Sequence, residues 1–306
     1  MPSHIPSSQA TARVAVIGAG AIGGLFAAAA HDAGHAVTLC VRTPIPDLEV
    51  TNRGETRQIP VDVATGPAGL TPADWVLVTT KAQDTASAAP WLERLAGPAT
   101  TVAIPQNGIG HEERVRPLAP HSALLPVLVY IAVERVAPGR VVRHSGNTVM
   151  VPAGAAGAAF ARLLEGSGLR IGQSSEFHTE AWRKLLTNVA ANPITALTLR
   201  RMDVFASAEI DDLARALLRE AVTVGRADGA DLAESDVAAT MDMYLRTDPG
   251  SGTSMLYDRL AGRRLEHEHL TGAVVAAARR LGVAAPLNTA VLTLLRGLDQ
   301  GMRAAD

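Results

Sequence analysis

The stretch RVAVIGAGAIGGLFAAAAHDAG, residues 13–34, constrains the fold more than any other part of the chain. It reads as a strand, a glycine-rich turn and an alanine-rich helix, and a second strand, HAVTLCVR, follows it. The turn places Gly18, Gly20 and Gly23 in GxGxxG register. The first glycine of such a turn permits a tight bend, the second lets a pyrophosphate approach the backbone, and the third lets the helix pack on the strand. The stretch therefore predicts a dinucleotide site, and a purely structural tight turn is the alternative.

The end of the second strand bears on the identity of the nucleotide. An NAD-binding chain of this kind carries an acid about 20 residues after the turn, where it binds the ribose 2′-hydroxyl. Here the strand AVTLCVR ends in Arg42 and contains no acid. A guanidinium can pair with a 2′-phosphate through two parallel hydrogen bonds. The sequence therefore favours NADP over NAD, against the alternative of an ordinary surface arginine.

Further strands follow in the first half of the chain. The runs DWVLVTTK and ATTVAIPQNG are nearly continuous in apolar residues, which is typical of parallel strands covered by helices on both faces. We expect the segments 122–133, 139–144 and 147–152 to be strands that close the same sheet. The segment GAAFARLLEGSG, from residue 157, is predicted to be one more helix.

The pattern changes after about Gln173. Residues 177–300 show helical periodicity that is interrupted only by turn signals such as ADGADL, TDPGSG, LAGRR and LGVAAP. We therefore predict a short disordered tail at 1–12, an α/β Rossmann-type dinucleotide-binding domain at 13–174, and an all-helical C-terminal domain at 175–306.

Composition excludes several classes of function. A formal net charge of −2 offers no basic field for nucleic acid, and the longest apolar run is too short to span a membrane. Cys40 is the only cysteine, so an intrachain disulfide and a cysteine-rich metal site are excluded, and a reducing, cytoplasmic location fits. His267 and His269 flank a glutamate but lack the HExxH spacing, so we expect solvated surface histidines and no metal site.

Two polar residues follow predicted parallel strands. Lys81 comes after VLVTT, and Asn107 comes after VAIPQ. Ligands of open α/β sheets bind outside the carboxyl ends of the strands, which raises the expectation of function at both positions. Turns after strands also favour such residues for local reasons, so the two interpretations stand side by side.

A polar stripe marks the start of the helical half. In WRKLLTNVAANPIT, the side chains of Lys184, Asn188 and Asn192 are spaced i, i+4, i+8 and would share one helix face. Asparagine is a poor helix former, so two of them on the lysine face call for a reason. A solvated face is one reason and a binding site is the other; Asn192 could also mark a helix end before Pro193.

Five segments in this order and spacing resemble the ketopantoate reductases, also called 2-dehydropantoate 2-reductases. They are GAGAIGG, VLVTTKAQDT, QNGIG, WRKLLTNVAANPIT and SMLYDRLAGRRLEHEHLTG, and the resemblance extends from Arg13 to about Gly297. It implies a 6-phosphogluconate dehydrogenase-like arrangement of the two domains and NADPH-dependent reduction of 2-dehydropantoate to (R)-pantoate, a step towards pantothenate and coenzyme A. The resemblance also implies that the protein binds a small 2-oxo acid as its substrate and that it can form a homodimer.

The resemblance also implies roles for individual residues. Lys184 and Glu266 are expected at the catalytic positions, and the substrate is expected to contact Asn107, Asn188, Asn192 and Ser254. The cofactor is expected to contact Gly18, Gly20, Ala21, Ile22, Gly23, Arg42, Lys81, Asn107 and Glu266. The chain departs from the family at His267, where an apolar residue is usual, and PVLVYIAVER follows the family only loosely.

The chemistry of ketone reduction suits these residue types. Negative charge develops on the ketone oxygen, and an ammonium close to that oxygen stabilises the charge and can deliver a proton. A half-buried Lys184 would have a lowered pKa and could act as the general acid. Glu266 could hold Lys184 or accept a hydrogen bond from the substrate hydroxyl, and the sequence leaves both open. For Ser254, an N-cap of the following helix is the alternative. Two rival functions are reduction of another 2-oxo acid and non-catalytic sensing of NADP.

Overall fold

A computed structural model describes residues 11–304, so residues 1–10 of the predicted tail lie outside the described part of the chain. Two compact units are present. The first contains the described residues up to Gln106 together with His111–Ser175. The second contains the short segment Asn107–Gly110 and the described residues from Glu176 onwards.

The first unit is an α/β unit. Its strands are β1 Arg13–Ile17, β2 Ala36–Cys40, β3 Leu48–Asn52, β4 Glu55–Ile59, β5 Asp62–Ala64, β6 Trp75–Val78, β7 Thr101–Ile104, β8 Ala123–Pro126, β9 Leu128–Ala137, β10 Arg140–Pro152 and β11 Arg170–Ser174. Its helices are α1 Ala21–Asp32, α2 Ala89–Leu95, α3 His111–Val115 and α4 Ala155–Leu163, with a 3₁₀ helix at Ala82–Ala88.

A six-stranded, fully parallel sheet forms the centre of this unit. Its strand order is β5-β2-β1-β6-β7-β8. Alternate residues of β1 serve two cores: Val14 and Val16 pack in the cluster that contains α1, while Ala15 and Ile17 pack in the cluster that contains α2. The sheet is thus buried on both faces, which confirms the prediction made from its continuous apolar strands.

The expectation that all later strands close this sheet is wrong. Only β8 joins it, whereas β9, β10, β3, β4 and β11 form a second sheet of five strands. β8 and β9 are separated by Val127 alone, and a strand cannot return parallel to its neighbour without a crossover of a dozen or more residues. Instead β9 turns back at Gly139, whose φ is +73°, and pairs antiparallel with β10.

The second unit is helical. Its helices are α5 Phe177–Val189, α6 Ala191–Thr198, α7 Ala208–Ala227, α8 Glu234–Arg246, α9 Ser254–Leu260, α10 Thr271–Leu281 and α11 Pro286–Ala304, with 3₁₀ helices at Met202–Ala206 and His267–His269. The predicted turn signals separate these helices. From Glu176 to Ala304 the structure contains no strand, in agreement with the sequence.

The core of the helical unit surrounds α7, which packs against α5, α8, α10 and α11. Leu217, Leu218 and Ala221 of α7 are fully buried in it, together with Trp182 of α5. None of the helices in the described part of the chain is long and apolar enough to cross a membrane.

Candidate active site

The glycine turn of the first unit has the geometry that a phosphate site needs. Gly18 has φ +109°, a value that side chains other than glycine rarely adopt. A Cβ at Gly23 would lie 1.8 Å from the Gly18 carbonyl oxygen, so only glycine fits between α1 and the turn. A Cβ at Gly20 would meet nothing within 4 Å. Packing therefore explains Gly18 and Gly23, while Gly20 leaves open space in front of the backbone.

The helix that follows the turn starts without a side-chain cap. Gly20 is the N-cap of α1, and because it has no side chain it cannot cap the first N–H groups of the helix itself. Ala21 and Ile22 are the first helical residues and are partly exposed. The amino end of a helix carries a partial positive charge and N–H groups that favour anions. The turn can therefore hold a pyrophosphate.

A threonine that the sequence reasoning missed fixes this turn. The Thr79 hydroxyl lies 2.9 Å from the carbonyl oxygens of Ile17 and Gly18 and donates to them. The Thr79 N–H also donates to the Ile17 carbonyl, at 3.1 Å. Thr79 directly follows β6, so its position just past a strand end was the only available signal.

Arg42 and Lys81 lie after strands of the same sheet. Arg42 is exposed, two residues after β2, and among residues 11–304 it makes no ion pair within the chain. Lys81 is half-buried and begins the 3₁₀ helix Ala82–Ala88. Buried Gln106, after the neighbouring strand β7, donates through Nε2 to the Thr80 carbonyl at 2.9 Å and so fixes the loop that carries Lys81.

The polar stripe of the helical unit begins at Lys184 on α5. Burial of its ammonium lowers the pKa from 10.5 to about 8. Taken as a whole, the residue is half-buried. At neutral pH the lysine is mostly protonated yet close to its titration range, which suits a general acid.

The stripe does not lie on one continuous helix, which corrects the prediction. α5 ends at Val189, and α6 begins at Ala191 with Pro193 in its first turn. Asn188 and Asn192 nevertheless stay together, because Asn192 Nδ2 donates to Asn188 Oδ1 at 2.9 Å. Asn188 Nδ2 in turn lies 3.4 Å from the Lys184 carbonyl oxygen.

Ser254 contacts Asn192. Asn192 is only 2% exposed, and its Oδ1 accepts hydrogen bonds from Met255 N at 3.1 Å and from Ser254 Oγ at 3.3 Å. Ser254 is the first residue of α9, and the N-cap is Thr253, whose hydroxyl accepts from Leu256 N at 3.3 Å. The alternative of Ser254 as a cap is therefore wrong.

Asn107 and Glu266 form a second group. Asn107 Nδ2 donates to Glu266 Oε2 at 3.5 Å, a long hydrogen bond, and Glu266 is buried. A Cβ at Gly108 would lie 2.2 Å from the carbonyl oxygen of His269, so the segment that carries Asn107 packs tightly on the turn after Glu266. Asn107 is thus one partner of the glutamate whose contacts the sequence left open.

The histidine pair differs from the expectation. His267 is 5% exposed rather than solvated, because residues 267–269 form a 3₁₀ turn inside the unit, and burial lowers its pKa. Within residues 11–304, no group of three or more His, Cys, Asp or Glu side chains could hold a metal ion.

Comparisons with known proteins cover nearly the whole chain. The family model for "Ketopantoate reductase PanE/ApbA" matches residues 14–168, and the model for its C-terminal part matches residues 176–299. The chain is similar to the 2-dehydropantoate 2-reductase of Caulobacter vibrioides, with 41% identity over 284 residues that cover 92% of this chain and 97% of the relative. The 2-dehydropantoate 2-reductase of Mycobacterium tuberculosis shares 36% identity over 291 residues, 94% of this chain and 98% of the relative.

Solved structures agree with these sequence matches. A dimeric ketopantoate reductase from Staphylococcus aureus superposes with a TM-score of 0.86 at 26% identity, covering 95% of this chain and 99% of the other. The α/β unit followed by a helical unit is thus the architecture of the matched structures.

Proposed function

Since the chain belongs to the ketopantoate reductase family, we propose that it reduces 2-dehydropantoate to (R)-pantoate with NADPH, a step in the synthesis of pantothenate and coenzyme A. One observation carries the proposal beyond family membership. Lys184, whose pKa is lowered to about 8, lies on the same polar face as Asn188, and Asn188 is hydrogen-bonded to Asn192. A proton donor and neutral hydrogen-bonding groups are what a hydroxylated 2-oxo acid requires.

The glycine turn of the first unit fits the cofactor. The space in front of Gly20 and the uncapped start of α1 would hold the pyrophosphate, and exposed Arg42 would pair with the 2′-phosphate. Lys81, after β6, would add a positive charge near the phosphates. NADPH, when bound, supplies the hydride for the C2 ketone.

Lys184 would donate a proton to the ketone oxygen. The ammonium stabilises the negative charge that develops there, and its lowered pKa makes proton transfer easier than from an ordinary lysine.

The other groups would hold the substrate. We assign Asn188, Ser254 and Asn107 to contacts with its carboxylate and hydroxyl. Asn192 is almost fully buried and already accepts two hydrogen bonds, so it would act by orienting Asn188 and Ser254. Glu266 would orient Asn107 and accept from the substrate hydroxyl or the cofactor.

We further propose a cytoplasmic enzyme that forms a homodimer. The matched structure from Staphylococcus aureus is dimeric, and the single cysteine, Cys40, is buried and free, as suits a reducing compartment.

A panel of 2-oxo acids tests the proposal. We expect steady-state NADPH oxidation to give the highest kcat/KM with 2-dehydropantoate, by roughly tenfold or more over branched and aromatic 2-oxo acids, because the polar groups would be left unpaired by acids that lack the hydroxyl. A higher kcat/KM for another 2-oxo acid would contradict the assignment of 2-dehydropantoate as the substrate. NADPH binding without turnover of any acid would favour a non-catalytic sensor.

A further inference from the structure

The break between α5 and α6 lies inside the polar stripe. Ala190 separates the two helices, between Asn188 and Asn192. Pro193 contributes to the break, because proline has no N–H to donate to the carbonyl of Val189 and its ring crowds that carbonyl. In a continuous helix, the N–H groups of Ala190 and Ala191 would donate to the carbonyls four residues earlier.

A tyrosine hydroxyl occupies the place of these missing bonds. The Ala191 N–H donates to the Tyr244 hydroxyl oxygen at 3.3 Å. The hydroxyl lies 3.1 Å from the Leu186 carbonyl oxygen and 3.2 Å from that of Thr187, so it donates to this pair. One hydroxyl from α8 thus serves both sides of the interrupted helix.

Tyr244 is closely packed. It is 1% exposed, and its ring packs on Phe205 with the centroids 4.7 Å apart. Burial raises the pKa of Tyr244, although the backbone N–H groups of Ala191 and Ala190 act in the opposite direction. The phenol therefore keeps its proton throughout the pH range of the reaction and donates steadily.

The break determines how the stripe is aligned. Lys184 and Asn188 belong to α5, while Asn192 belongs to α6 and binds Ser254 of α9. Any change in the angle between the two helices at Ala190 moves Asn192 and Ser254 relative to Lys184 and Asn188. We propose that Tyr244 is a positioning residue that fixes the helix break and so aligns the two halves of the substrate site.

Tyr244→Phe tests this inference, which rests on the proposed function. The ring and its packing on Phe205 remain, and only the hydroxyl is lost. We expect KM for the 2-oxo acid to rise by roughly tenfold or more, because misalignment of bound groups is costly to binding and turnover. NADPH affinity should stay within about twofold, since the glycine turn is in the other unit.

Val237→Ala is the matched control. Val237 is fully buried on the same helix, so its truncation weakens the fold while every hydrogen bond of the Tyr244 hydroxyl is kept. We expect it to lower Tm while KM stays within about twofold of the wild type. A rise in KM that equals that of Tyr244→Phe would reduce the role of Tyr244 to general stability and overturn the proposal.

A second variant tests the proposal in case Tyr244→Phe alone folds poorly. Pro193→Ala restores an N–H and allows the helix ladder to close, so Tyr244→Phe in this background should fold. It should still show the raised KM, because the break is no longer held in its native shape. A wild-type KM in either folded tyrosine variant overturns the positioning role. If instead the wild type turns over no 2-oxo acid, the proposed function fails, and this result differs from the one that would overturn the role of Tyr244.

Discussion

Replacing Lys184 by methionine separates its role in catalysis from its cost to the fold. Burial lowers the pKa of the lysine from 10.5 to about 8, and this difference corresponds to roughly 3 kcal/mol of folding free energy. Because the residue as a whole is only half-buried, we expect a gain of roughly 1–3 kcal/mol for the variant at pH 7. Methionine is similar in length and carries no charge, so it keeps the packing.

The size of the gain depends on pH in a defined direction. Below about pH 8 the lysine is charged in both the folded and the unfolded state, and the full penalty on the wild type is present. Between about pH 8 and 10.5 the folded lysine is neutral while the unfolded one is still charged, so the wild type becomes more stable as the pH rises. Urea unfolding of both proteins at pH 7 and at pH 9.5 should therefore show a smaller difference at the higher pH.

The same substitution should nearly abolish turnover. We expect kcat of Lys184→Met to fall by roughly 10²–10⁴-fold at pH 7, with NADPH affinity almost unchanged. The wild-type kcat should fall towards tenfold per pH unit above about pH 8, as the ammonium loses its proton. Retained turnover in the variant, or a wild-type kcat that is constant between pH 6.5 and 9.5, would refute the role of Lys184.

Two further predictions concern the cofactor site. Gly23→Ala should destabilise the protein by about 3 kcal/mol, because its Cβ would lie 1.8 Å from a backbone oxygen. Gly20→Ala, whose Cβ would meet nothing within 4 Å, should leave Tm unchanged and weaken NADPH binding at least about tenfold. Thermal unfolding and fluorescence titration distinguish the two, and normal NADPH affinity in Gly20→Ala would contradict the phosphate site. Arg42→Ala should weaken NADPH binding by roughly tenfold and leave NADH binding unchanged, and equal losses for both nucleotides would exclude a 2′-phosphate contact.

The parallel sheet and the glycine turn could be predicted because their signals are local. Continuous apolar strands such as β1 and β6 reveal burial on both faces, and the roles of Gly18 and Gly23 follow from their spacing. Within the helical unit, the first half of the polar stripe could be predicted for the same reason, because Lys184 and Asn188 are four residues apart on α5. Asn192 joins them from α6 through a hydrogen bond to Asn188 that the spacing does not predict.

The second sheet could not be predicted in the same way. β3 and β4 form a hairpin of mostly polar residues, LEVTN and ETRQI, around Arg53 and Gly54, which both have positive φ. The apolar alternation of β3 is limited to Leu48 and Val50, and β4 shows none. The pairing of β3 with β10 joins segments about 90 residues apart. Such pairings depend on tertiary packing rather than on local preference.

The supports of the candidate substrate site escaped the sequence for a related physical reason. Thr253, Thr195 and Tyr244 are ordinary residues in their own segments, and each acts on a distant part of the chain. The Thr195 and Thr253 hydroxyls meet at 2.7 Å, 58 residues apart in sequence, and Tyr244 reaches Ala191 across 53 residues. A buried hydroxyl is stable only where it finds partners. Loss of the Thr253 hydroxyl would leave the Leu256 N–H without its acceptor, and loss of the Tyr244 hydroxyl would do the same to the Ala191 N–H. The polar groups expected to contact the substrate can thus be predicted from residue type. The residues that would orient those groups can be identified only from the hydrogen bonds of the folded chain.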